Sequence, residues 1–155
     1  PLPFPPEHYF DVLPHLDAGL VRRAPALGAL DFAACIWVSL AEDHDAARRV
    51  LAQKVAYYGH ALGPLIWDRL GLVRADFDEI EHAMMVERDE DKALSLVDAR
   101  MLRIGVIGGA HDVIERMEPL VAAGAQHLSF GPPLGPDRLE AVLLLGKVLD
   151  HFKGD

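Results

Sequence analysis

The sequence is short of several things, and each shortage closes a class of function. A single cysteine, Cys35, leaves no partner for an internal disulfide or a thiolate metal site, which fits a reducing compartment and makes the cytoplasm the expected location. No apolar run reaches the roughly 18 residues that a spanning helix needs, and no basic stretch followed by an apolar one opens the chain. Positive charge is scarce: 15 Lys and Arg against 24 Asp and Glu give a net charge of -9. Such a balance repels phosphate backbones and anionic lipid, so neither nucleic acid nor membrane is an expected partner.

What is present describes a core-forming domain. Within 155 residues, 51% are hydrophobic and the mean hydropathy is positive, which argues against disorder. The first residues, PLPFPPEHYF, carry no initiator Met and read as a proline-rich connector over Pro1 to Pro6, with an upstream part expected to be missing.

From Glu7 to Arg23 the composition is helical, with Pro14 expected to kink the helix. DFAACIWVSL, Asp31 to Leu40, is an unbroken apolar run of strand length and predicts a strand buried on both faces. Asp43 is placed to cap the next helix, whose Ala47, Val50, Leu51, Val55 and Tyr58 fall on one stripe. LIWDRLGL predicts a short helix ending near Gly71, and Asp76 with Glu79 has capping-box spacing. A turn is predicted at Asp89 to Asp91 and a helix from Asp91 to Arg103. Beyond Gly109 a helix with Val113, Met117, Leu120 and Val121 on one face should end at Gly124, with a kink or break at Pro119. QHLSF predicts a second strand, and Asp137 with Glu140 should cap the last helix together. The alternation indicates an α/β fold with parallel strands. Organisation follows as a connector over 1–6, helix, strand and helix over 7–60, a helical insertion over 61–103, and a last helix, strand and helix over 104–155.

Candidate chemistry is sparse. GVIGG, Gly105 to Gly109, has the wrong spacing for a dinucleotide fingerprint, and the eight histidines include no helical pair with a glutamate between, so no metal site is expected. His127 could face a pocket or packing, with packing favoured. Cys35 reads as an inert buried thiol, and Ser129 has no visible base partner. Trp37, Trp67, Tyr57 and Tyr58 could stack on a flat ring, but their apolar surroundings favour a place in the core. The Gly/Pro loop from Gly131 to Pro136 either makes a tight strand-to-helix turn or lets a ligand approach the backbone closely.

GGAHDVIERMEPLVAAGAQHLSFGPPLGPDRLEAVLLLGKVLDHF, with CIWVSLAEDHDAARRVL upstream, resembles the C-terminal end of the luciferase-like oxidoreductase family, and within it the deazaflavin-dependent methylenetetrahydromethanopterin reductases. That branch shows a Gly-Thr-Pro-Glu-Asp-Val helix start, an Ala-Gly turn, a strand and a Gly-Ser-Pro-Ile-Gly-Pro-Asp loop. Here these read Gly108 to Val113, Ala123-Gly124 and Gly131 to Asp137, with Gly109 and Ala110 in place of Thr-Pro.

The resemblance implies the C-terminal portion of a (β/α)8 TIM barrel, a single partial-barrel domain supplying the last two strands and the segment between them. It implies hydride transfer between coenzyme F420, a deazaflavin, and a small-molecule substrate. FMN in a monooxygenase-type fragment, or a noncatalytic oligomerising module, are the alternatives. Cofactor contacts would fall on Ser129, Gly131, Pro132, Leu134 and Gly135, where barrel loops after the last strands gather around ligands. No catalytic residue is assigned, and the isolated chain is expected to be inactive. The last helix is apolar around most of its circumference, from Leu139 through Leu149, and should need partners, so a homo-oligomer is expected.

Overall fold

A computed structural model of the protein describes residues 5–153, so the predicted connector falls largely outside the described residues, and Pro6 already belongs to a helix. Helix α1 spans Pro6–Leu20, with prolines at its start where the missing N–H costs nothing. It leads to the central strand β1, Ala33–Leu40. Asp43 then caps α2, His44–Tyr58, by accepting from the Asp45 and Ala46 backbone N–H groups at 3.1 Å each. The stripe predicted for α2 is buried at Ala47, Leu51 and Val55, whereas Tyr58 lies exposed.

The insertion packs as a set of short turns. Helix α3, Pro64–Leu70, ends at Gly71, whose φ of 69° gives the left-handed cap the sequence called for. Helix α4, Asp78–Glu81, runs into one wide π turn at His82–Glu87. Asp76 does not form the predicted box with Glu79; its carboxylate accepts from the Val73 N–H at 2.8 Å and caps the preceding 3-10 turn, Arg74–Phe77. The helix predicted from Asp91 to Arg103 is two, α5 at Glu90–Ser95 and α6 at Ala99–Leu102. Asp89 and Asp98 each cap one from outside. Asp98 competes with its neighbours for the backbone, which is why a cap residue inside a periodic stretch divides it.

A third strand, β2 at Gly105–Gly108, follows where no strand was expected beyond the two read from the sequence. Helix α7 covers Ala110–Ala122, β3 His127–Leu134 and α8 Arg138–Lys153. Pro119 neither breaks α7 nor ends it. Proline frees the carbonyl one turn back, and here Pro119 and Glu115 both lie on the solvent side, where water can take that carbonyl's bond.

The three strands are parallel in the order β2-β1-β3, with Trp37 opposite both Gly105 and Gly131. Parallel crossovers are right-handed almost without exception, so one to the left of β1 and one to the right must lie on opposite faces. The two cores show this arrangement. Trp37 packs with Leu51, Val55, Trp67, Phe77 and Ile104 on the side of α2 and the insertion. Ile36, Val38, Leu40, Val113, Met117 and Leu144 pack on the side of α7 and α8. β1 is therefore buried on both faces, as its unbroken apolar run requires.

Candidate functional site at the carboxyl edge of the sheet

Neighbouring parallel strands whose helices depart to opposite faces leave a crevice outside their carboxyl ends, which is where open α/β sheets gather ligands. Here β1 departs to one face, and β2 and β3 to the other. Three turns line the edge: Ala41 to Asp43, Gly108 to Gly109, and Gly135 to Asp137. The Ala41 N–H donates to the Gly108 carbonyl at 3.1 Å, and the Glu42 N–H donates to Glu140 Oε1 at 2.9 Å. Asp112 accepts from the Gly109 N–H at 2.7 Å and stands 3.8 Å from His44 Nε2. Asp112 thereby supplies the reciprocal half of a cap that the missing Thr-Pro start would otherwise have weakened.

Charge along this edge is negative, from Glu42, Asp43, Asp112, Asp137 and Glu140, with Lys147 Nζ 3.9 Å from Glu42 at the border. Asp137 accepts from the Leu139 and Glu140 N–H groups at 2.8 and 2.9 Å, so the first donors of α8 are already used. Glu140, predicted to share that cap, reaches the turn after β1 instead. A helix start occupied by its own carboxylate and ringed by others is not a phosphate cradle.

The residues singled out from the sequence fall into two groups. Ser129 is opposite Cys35 and Gly131 opposite Trp37, so both share the Trp37 face, while Phe130 turns to the other core with Ile36. Ser129 and Pro132 are exposed, and Gly131 is half-buried beside the Trp37 indole. Lys54 stands over the same Trp37, its Nζ 4.2 Å from the Tyr58 ring centroid and 5.2 Å from that of Trp37. Tyr57 and Tyr58 are thus surface aromatics, contrary to the core role expected, while Trp37 and Trp67 are buried as predicted.

Leu134 and Gly135 form the second group. The supposed loop from Gly131 to Leu134 continues β3, with one extra residue against β1 between the pairs Trp37–Gly131 and Ser39–Leu134. Pro132 and Pro133, joined by a cis bond, occupy this bulge, where an absent N–H breaks no ladder bond. Leu134 has a φ of 73°, in the left-handed region that costs a branched side chain about 1–2 kcal/mol. Gly135 is buried against the Leu40 carbonyl, which leaves no room for a Cβ. Strained backbone at the carboxyl end of a strand is a pointer to function that no sequence periodicity carries.

His127 is not packed into the core, the reading that was favoured: it is exposed, borders the groove between β3 and α8, and is bonded to Asp31 at 2.9 Å between Nδ1 and Oδ2. Cys35 is half-buried, and its backbone N–H and carbonyl both engage the Tyr9 hydroxyl, at 2.6 and 2.9 Å. The four-residue β2 stops short of that point, and Tyr9 takes the place of a neighbouring strand.

No family model matches the chain. Over 150 residues, 96% of the chain, it is 29% identical to 5,10-methylenetetrahydromethanopterin reductase of Methanopyrus kandleri, covering 43% of that protein. Over 137 residues, 86% of the chain, it is 30% identical to the reductase of the same name from Archaeoglobus fulgidus, covering 41% of it. The solved structure of the coenzyme F420 dependent tetrahydromethanopterin reductase from Methanopyrus kandleri superposes with a TM-score of 0.77 at 27% identity, over 97% of this chain and 43% of that one. This chain is similar to part of a methylenetetrahydromethanopterin reductase. The resemblance read from the Gly/Pro segment and its flanking helices therefore holds over nearly the whole sequence, in fold as well as in residues. The chain spans less than half the length of the reductases it matches.

Proposed function

We propose that this chain forms one wall of the deazaflavin pocket of an F420-dependent oxidoreductase related to methylenetetrahydromethanopterin reductase, with a small-molecule substrate bound against the same cofactor. The observation that supports this most directly is the uncharged run Ser129 to Pro132 within β3, exposed at Ser129 and Pro132, in a chain whose fold follows an F420-dependent reductase along 97% of its length. FMN is not favoured, since the solved relative depends on F420.

The residues present fit a flat ring better than a phosphate. Ser129 offers an exposed hydroxyl and Gly131 lies half-buried against the Trp37 indole, and the acidic turns repel anionic groups from the start of α8. When bound, a deazaflavin supplies the hydride chemistry. Ser129, Gly131 and Pro132 then orient the ring and exclude water from one side. Leu134 and Gly135 act by holding the turn behind them.

Titration of the chain with coenzyme F420 and with FMN, followed by absorbance and Trp fluorescence, tests the reading. Saturable binding of F420, weaker binding of FMN, and a loss of at least about tenfold in F420 affinity for Ser129→Phe are expected. Absence of F420 binding, or preference for FMN, overturns it.

A further inference from the structure

Lys54 is placed unlike the other lysines in the body of the chain. Lys92 lies on Glu87 and Lys147 near Glu42, as expected where acids outnumber bases by nine. Lys54 is half-buried, and among the described residues it forms no ion pair; its neighbours are the faces of Tyr58 and Trp37. An ammonium held between aromatic rings is partly stripped of water while its charge stays uncompensated.

Its place on α2 follows from the helix wheel. Arg49 pairs with Asp91 at 2.8 Å and Gln53 bonds to Glu90, which turns that side of α2 to the insertion, and Leu51 lies against Gly105 of β2. Lys54 is about 100–140° further round from Gln53 and Arg49, on the side away from α5. The face of β1 beneath α2 is that of Cys35, Trp37 and Ser39, since the Ser39 hydroxyl donates to the Ala47 carbonyl at 2.7 Å. Trp37 connects the two parts: Lys54 stands over its ring, and its Cδ1 is 3.5 Å from where a Gly131 Cβ would be.

We propose that Lys54 recognises the cofactor by pairing with the ionised ring hydroxyl of an 8-hydroxy-5-deazaflavin that lies on Ser129 and Gly131. This rests on the F420 reading above and deepens it, because FMN carries a methyl group where the deazaflavin carries that hydroxyl. The hydroxyl loses its proton more readily than an ordinary phenol, since the charge spreads through the ring, and a neighbouring cation favours the ionised form. A phosphate or carboxylate of the cofactor tail could also answer one ammonium. Flat rings and the uncharged Ser129, Gly131 and Pro132 around Lys54 favour a ring edge, whereas phosphate is held by converging N–H groups or a guanidinium fork.

Lys54→Met keeps the apolar stem over Trp37 and removes the charge; Lys54→Arg restores it. The other titratable side chains on the elements packed there are Cys35, Tyr57, Tyr58 and His127, the last tied to Asp31. They are common to all three chains, so the differences isolate the ammonium. Binding of F420, of its tail-less head group 8-hydroxy-5-deazariboflavin and of FMN is followed by Trp fluorescence. Absorbance of the bound deazaflavin from about pH 5 to 9 reads the ionisation of its hydroxyl, and circular dichroism verifies folding.

Lys54→Met should weaken F420 and the head group alike by about tenfold, raise the pKa of the bound hydroxyl by about one unit and leave FMN unchanged, with Lys54→Arg recovering most of the loss. An unshifted hydroxyl pKa, or an equal loss for FMN, shows that Lys54 only packs and overturns the proposal. A loss for F420 without one for the head group assigns Lys54 to the tail and overturns it too. In each of these cases F420 still binds and the F420 reading stands; absence of F420 binding by the natural chain overturns both.

Discussion

Tyr9 shows how much one side chain can settle. Its hydroxyl donates to the Cys35 carbonyl and accepts from the Cys35 N–H at the end of β1 that β2 does not reach. Burial, the larger effect, raises the Tyr9 pKa above the ordinary 10.0, and the bond to Cys35 pulls the other way, so the group stays a neutral donor. Tyr9→Phe keeps the ring, which lies 6.0 Å from that of Phe32, and removes only the hydroxyl. It leaves a strand N–H and carbonyl unsatisfied, and a loss of about 1–3 kcal/mol in urea unfolding is expected. A change below a few tenths would show that water replaces the hydroxyl. Nothing in PEHYFDVLPH announces this bond, because its two ends are 26 residues apart. At Gly135 the residue type was legible but not the neighbour that requires it: the Leu40 carbonyl leaves no room for a Cβ.

Among the elements, α8 separates two carboxylates that the sequence made look alike. Asp137 caps the helix through two N–H groups, whereas Glu140 ties the helix to the turn after β1. Asp137→Ala should therefore cost about 0.5–2 kcal/mol in thermal or urea unfolding, the range measured for lost caps. Glu140→Gln, which can still accept from the Glu42 N–H, should cost clearly less, and equal losses would contradict the division of roles. Caps of this kind were legible wherever a single Asp preceded a periodic run, as at Asp43. They were misread where two acids competed, at Asp76 and across Asp91 to Arg103. Strand β2 escaped detection because four residues rich in glycine show no alternation; only pairing with Trp37 to Leu40 makes them a strand.

For the molecule as a whole, the two cores are joined through β1, and α1 is held to the rest at its first turns. Arg69 pairs with Asp11, and Arg116 Nη1 lies 2.7 Å from Glu7 Oε1. His8 is buried in this seam, and burial first, then the Arg69 charge, lowers its pKa below 6.5. The unfolded chain thus binds a proton that the folded chain refuses. The stabilising contribution is complete above pH 6.5 and is lost as the pH falls from there through the folded-state value. Urea unfolding at pH 7.5 and 5.5 should show a larger acid loss in the natural chain than in His8→Gln. An equal loss in both would place the acid sensitivity elsewhere.

The amino-acid order alone determined the parallel α/β class, the burial of β1 on both faces, the helix stops at Gly71 and Gly124 and the likeness to F420-dependent reductases. Each of these rests on local periodicity, backbone restriction at Gly and Pro, or a contiguous motif. Tertiary structure decided that β2 lies on the far side of β1 from β3, that Gly131 to Leu134 is bulged strand rather than loop, and that Ser129 and Gly131 share a face with Trp37 while Leu134 and Gly135 hold the turn behind them. It also decided which side of α8 is left bare. Such outcomes depend on which residues, far apart in the chain, compete for the same space and the same hydrogen bonds, and no window along the sequence contains that competition.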